Sequence, residues 1–161
     1  MEFLQELIGS KELLTLIYSA IPITELRATI PLAITVWHVP PLTALILAIV
    51  GNSIPIVFII LGLNKLVELA EKHSPFFKKI VESIFKRTRR KTWQKLEKYG
   101  LIALFMFVAI PLPGTGAWTG SIAAWLFGFP LKKAFWPIFG GVIAAGIIVT
   151  ILTVGATAII T

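Results

Sequence analysis

Three runs of the chain, Ala28 to Asn64, Tyr99 to Leu131 and Ala134 to Thr161, contain no Asp, Glu, Lys or Arg. A helix needs about 20 predominantly apolar residues to cross roughly 30 Å of hydrocarbon. Leu42 to Leu63 and Ala134 to Ile160 meet that requirement and are predicted to span a membrane. The run from Tyr99 to Leu131 is too long for one crossing and is interrupted by Pro111-Leu112-Pro113-Gly114. Folded back there, it gives two arms of about 18 Å at 1.5 Å per residue, each short of a crossing, so a re-entrant hairpin is predicted. A similar hairpin is predicted from Leu13 to Ile23 and Ala28 to Val39, separated by Thr24-Glu25-Leu26-Arg27. Ahead of it, Phe3, Leu4, Leu7 and Ile8 share a helical face opposite Glu2, Gln5 and Glu6, the pattern of an interfacial helix.

The two halves share a register. At an offset of 89 residues without gaps, Ala20-Ile21-Pro22 falls on Ala109-Ile110-Pro111, Pro41-Leu42 on Pro130-Leu131, and Gly51 on Gly140. Prolines and a glycine in common register point to a duplication. The fold class predicted is therefore an all-α integral membrane protein, an inverted repeat of a re-entrant helical hairpin plus a transmembrane helix. One membrane domain over residues 1–161 is expected: an interfacial helix at 1–12, a first repeat at 13–64, a basic cytoplasmic helical linker at 65–100 and a second repeat at 101–161. Opposed repeats place substrate sites near the bilayer midplane, where broken helices bring their ends together.

Composition agrees with a membrane setting: 57% of residues are hydrophobic and only 14% charged, where an average soluble domain is about a quarter charged. The net charge of +7 does not indicate nucleic acid, because Lys65 to Lys98 holds eleven Lys and Arg against four Glu and so carries the whole excess. A basic loop between apolar halves follows the positive-inside rule. It is expected in the cytoplasm of a multi-pass cell-membrane protein with both termini outside. With no cysteine, there are no disulfides or thiolate sites. The N-terminus lacks a basic signal-peptide region, so the apolar segments are expected to be retained.

Glu25 and Arg27 are the only charges among the apolar segments of either hairpin. Charges at membrane depth mark a pathway or a site unless they merely pair or sit at headgroup level. Two apart on a helix they would not face each other, so each is expected to meet the opposite hairpin or a ligand. Pro22, Pro31, Pro111 and Pro113 block regular helix, which membranes tolerate where the freed groups line a cavity. In Pro113-Gly114-Thr115-Gly116-Ala117-Trp118-Thr119-Gly120 the small residues let backbone N–H groups at a half-helix start face an anion; the plainer reading is a tight packing turn. The candidate substrate-binding set is Glu25, Arg27, Pro31, Pro111, Pro113, Gly114, Thr115, Gly116 and Trp118. In that reading Arg27 and the Thr115 to Trp118 backbone hold an anionic or zwitterionic headgroup while Glu25 exchanges a proton with water. Asn52 is expected to hydrogen bond between helices, and Trp37, Trp125 and Trp136 to anchor at interfaces. His38 and His73 lack metal-ligand spacing, and neither metal nor cofactor is expected. Catalytic triads, zincin motifs and paired carboxylates are missing, which argues against an enzyme.

At Glu25-Leu26-Arg27-Ala28-Thr29-Ile30-Pro31 and at Pro111 to Gly120 the chain resembles the small multidrug export protein family of archaea and bacteria over nearly its whole length. Ala28 stands where that pattern more often has glycine. The family in turn looks similar to the DedA and VTT (SNARE-associated) membrane proteins, whose two opposed re-entrant hairpins are implicated in lipid and polyprenyl-phosphate translocation. The resemblance implies transport of lipids or lipid phosphates more than drug export. DedA-like proteins carry further acidic and arginine residues in their second half, which this chain lacks. Proton-coupled efflux of amphipathic cations, with Glu25 as binding acid, is the alternative within transport. A non-transporting scaffold docking through Leu66 to Lys98 is the alternative outside it. Partners expected are membrane lipids and protons as a coupling ion, with no nucleic acid, and so thin a bundle leaves a homodimer open.

Overall fold

The structure is a computed structural model, and it describes residues 10–76, 78–79, 99–112, 114–127 and 129–160. The described residues form helices and no strand. The interfacial helix expected at 1–12 lies largely outside them, as does the linker from 80 to 98.

Helix α1 spans Lys11–Ala20 and so takes in Lys11 and Glu12, ahead of the expected start at Leu13. Ser10 caps it, its hydroxyl accepting the Leu13 N–H at 3.2 Å. The helix stops because Ile21, preceding Pro22, is pushed into an extended conformation. The break therefore falls at Ile21–Thr24, earlier than the expected Thr24 to Arg27. Helix α2 is Glu25–Thr35 and takes Glu25, Leu26 and Arg27 into its first turn. It also runs through Pro31, which was expected to interrupt it. Pro40 and Pro41 lead into α3, Pro41–His73, with Pro at the first position where no N–H partner is required.

Helix α3 runs ten residues beyond the predicted span end at Leu63 and absorbs the start of the expected linker. Its tail is rich in Lys and Glu, which are good helix formers once outside hydrocarbon. Helix α4, Tyr99–Ala109, is short and apolar and ends just before Pro111. Helix α5, Ala117–Leu126, follows the proline-glycine turn, and α6, Leu131–Ile160, completes the chain. Two stretches, Pro41–Leu69 and Lys132–Ile159, are long and apolar enough to cross a membrane. At about 1.5 Å per residue, α1, α2, α4 and α5 each fall well short of it.

Helix α3 packs against α1, α2, α5 and α6, and α6 also holds α2 and α5. The core joins Leu26 and Ile30 of α2 to Ile56 of α3, Leu104 and Val108 of α4, and Ile138 and Val142 of α6. Many of its positions are alanine, which lets helix axes approach closely. Large apolar residues such as Phe58 and Ile151 face outward, as they do where lipid is the solvent.

The 89-residue register reappears as equivalent contacts. A side chain at Gly51 would run into the Leu16 carbonyl of α1. Gly140, its counterpart, lies 3.4 Å from the ring of Phe105, the counterpart of Leu16, when a Cβ is placed on it. The long helix of each half thus rests on the first short helix of that half through matched positions.

Buried hydroxyls are satisfied within their own helices: Thr15, Ser19, Thr29, Ser121 and Thr153 each donate to the carbonyl four residues back at 2.7 Å. Asn52 differs from the expectation of an interhelical hydrogen bond: it is buried, and its Oδ1 has no hydrogen-bond partner among the described residues. Trp37 is half-buried and meets Tyr18 edge-on, whereas Trp136 is exposed.

Candidate functional site

The break between α4 and α5 leaves several carbonyls without their regular donors. Proline has no N–H, so Pro111 removes the bond that Phe107 would accept. The Leu112 N–H turns instead to Ile110 at 2.8 Å, which also leaves Val108 without its helical donor. Arg27 of α2 reaches across to this end of α4. Its Nη1 donates to the Leu112 carbonyl at 2.7 Å and its Nη2 to the Val108 carbonyl at 2.9 Å. A cation at the C-terminal end of a helix also opposes the negative end of its dipole. Thr115 tightens the turn: its N–H meets the Leu112 carbonyl at 3.2 Å, and its hydroxyl lies 2.8 Å from the Ile110 carbonyl.

Helix α5 begins at the other side of the turn. Gly114 takes a φ of +82°, a left-handed conformation natural to glycine. Gly116 is needed for space, because a Cβ there would fall inside the Glu25 carboxylate. That carboxylate, on a residue only 9% exposed, rests at the positive end of α5, where the Trp118 N–H also interacts with it. The Thr119 hydroxyl accepts the Gly116 N–H at 2.8 Å. The Trp118 indole N–H donates to the Ala20 carbonyl at 3.0 Å, closing the end of α1, and the Thr24 hydroxyl donates to Tyr18 on the same end.

The two charges of the first half are thus split between opposite ends of the broken second half, Arg27 at the closing end of α4 and Glu25 at the opening end of α5. They also approach each other, with Arg27 Nη1 3.9 Å from Glu25 Oε2, contrary to the expectation that they face apart. The cause is local. Glu25 has a φ of +44°, so its side chain does not leave the backbone in the direction of a regular first helical turn. A side chain in the left-handed region costs on the order of 1–3 kcal/mol and persists where surrounding contacts impose it. In the repeat register Glu25 corresponds to Gly114 and Arg27 to Gly116. The left-handed position therefore recurs in both halves, as glycine in one and glutamate in the other.

Of the residues singled out from the sequence, Glu25, Arg27, Thr115, Gly116 and Trp118 meet at this junction, and Pro111 makes the break. Gly114 shapes the turn but is exposed. Pro31 lies one turn beyond Arg27 inside α2. Pro113 is outside the described residues. Sequence reasoning missed the Val108 and Leu112 carbonyls, Thr24, Thr119 and Ala20. The paired prolines signal freed carbonyls nearby, but nothing local says which ones Arg27 will reach. Among the described residues no group of His, Asp or Glu is arranged to hold a metal ion.

No curated protein matches the chain, and no solved structure does either. Residues 25–148, which include the entire junction, match the family described as Putative small multi-drug export protein. With well over half of its length covered and two helices suited to crossing a bilayer, the chain belongs to that family of small membrane export proteins.

Proposed function

We propose that the protein moves amphipathic molecules with an anionic head, lipids or lipid phosphates, past the junction where Glu25 and Arg27 meet the broken second half. The observation that carries this reading is the seat of the Glu25 carboxylate. It occupies an anion position supplied by the start of α5, with the Arg27 guanidinium 3.9 Å away. When that carboxylate is protonated or swings out, what remains is a helix start and a guanidinium, which attract a phosphate and repel a cation. Glu25 is then a placeholder that the substrate's own charge replaces, and the proton it takes up couples transport to pH.

In this reading α1 with α2 and α4 with α5 are re-entrant hairpins, and the two halves insert with opposite orientation. Their shared register, their matched glycine contacts and the four short helices support it. The excess of Lys and Arg between 65 and 98 supports a cytoplasmic place for that loop. Export of amphipathic cations is the second reading, favoured by the family's description; there Glu25 would bind the cation itself.

Reconstitution into vesicles separates the two. With a fluorescent anionic phospholipid as substrate, Arg27→Gln is expected to slow transbilayer movement by roughly 10-fold or more, since a charged hydrogen-bonding group is worth about 1.5–3 kcal/mol. Glu25→Gln is expected to flatten the pH dependence. Wild-type lipid movement in Arg27→Gln, together with uptake of a cationic dye that requires Glu25, would transfer the case to the second reading.

A further inference from the structure

Between α4 and α5 the second half leaves a half-open crevice of about 370 Å³. Ala103, Leu104 and Phe107 line one wall, Ala123 the other, and Phe127 and Phe129 the far end. Its size falls within the ~300–1,000 Å³ typical of small-molecule sites. It opens to the surroundings past Ala103, Phe107 and Phe127, all exposed.

At the equivalent place the first half carries bulkier side chains. Tyr18, the counterpart of Phe107, meets Trp37 edge-on with ring centroids 5.5 Å apart, and Ile34 stands where the second half has Ala123. A crevice that the smaller side chains of the second half leave open to the surroundings is suited to an apolar occupant.

The charges beside its Phe129 end indicate which one. Phe129 is three residues from Lys132, a reach of at most about 11 Å, and the Lys133 N–H bonds to Pro130 at 2.8 Å. Both lysines are exposed and share the first turn of α6, which has no acidic residue. Two cations at the positive end of a helix are unfavourable by themselves, and an anion placed there relieves both.

We propose that this crevice binds one anionic phospholipid, with an acyl chain between α4 and α5 and the phosphate at Lys132 and Lys133. The residues that line it are not those that bond Glu25 and Arg27, and its occupation does not depend on the chain moving lipid. A zwitterionic lipid would gain the apolar contact without the net charge, and a free phosphate ester the charge without the chain.

Native mass spectrometry of the full chain released from nanodiscs tests the assignment. Phosphatidylglycerol should be retained on the order of 10-fold more strongly than phosphatidylcholine with the same chains, the preference that two lysines near a phosphate provide. K132Q/K133Q should bring the two lipids level. Ala123→Trp should abolish retention of both, and glycerol 3-phosphate should not compete. If Ala123→Trp fails to fold, Ala103→Phe fills the crevice from its exposed wall and should do the same. Equal retention of the two lipids by the wild type, or undiminished phosphatidylglycerol binding in K132Q/K133Q, overturns the proposal. So does a filled-crevice variant that keeps its lipid and loses a dimer instead, which would assign the crevice to a second copy of the chain.

Discussion

Glu25 is held in a conformation that its own chemistry disfavours, at a position where the other half of the chain uses glycine. Strain and function are therefore separable there. Glu25→Gly should retain about 1 kcal/mol more stability than Glu25→Ala in chemical denaturation, because alanine keeps the left-handed penalty and glycine does not. Both should lose the pH dependence of transport, since neither has a carboxyl group to place at the start of α5. Equal stability of the two variants would show that the backbone at residue 25 is not under strain. The sequence announced Glu25 and Arg27 through their isolation among apolar residues, yet it pointed them apart. Regular helical spacing was assumed where only a positive φ, which glutamate does not advertise, brings them to 3.9 Å.

Among the elements, the two matched glycines differ in what stands in front of them, and in the second half the close approach to the Phe105 carbonyl falls to the neighbouring Gly141. At Gly51 an added methyl would meet the backbone carbonyl of Leu16, which cannot step aside, whereas at Gly140 it would meet only the edge of the Phe105 ring at 3.4 Å. Gly51→Ala should accordingly cost about 1–3 kcal/mol, the range for overpacking a filled contact. Gly140→Ala should stay within about 0.5 kcal/mol. Thermal unfolding of both variants in detergent checks the contrast, and similar losses would mean that the halves pack alike. The break at Pro111 was legible, whereas the first was expected at Thr24 to Arg27 although Pro22 stops α1 earlier. Helix ends without proline were not legible: α3 passes Leu63 to reach His73 because leaving the apolar run does not end the hydrogen-bond ladder. The single proline that misled was Pro31, which α2 accommodates at the loss of one backbone bond.

At the scale of the molecule, the register that relates the halves predicts their orientation. The chain has no cysteine, so single cysteines can be introduced without removing any. Labelling at Lys79→Cys is expected from the cytoplasmic side and at Ile159→Cys from the opposite side. Both reacting from the same side would rule out an inverted arrangement. The junction is the part of the molecule least visible in the sequence, because its bonds join residues 81, 85 and 98 positions apart. That separation has a bearing on how the protein is made. A ribosome adding about 5–20 residues per second delivers Glu25 and Arg27 many seconds before α4 and α5 exist to receive them. During that interval Glu25 and Arg27 have each other, but neither they nor the end of α1 have the partners that the second half supplies. The bonds that hold Arg27 and close the end of α1 can therefore form only once the second half of the chain has arrived.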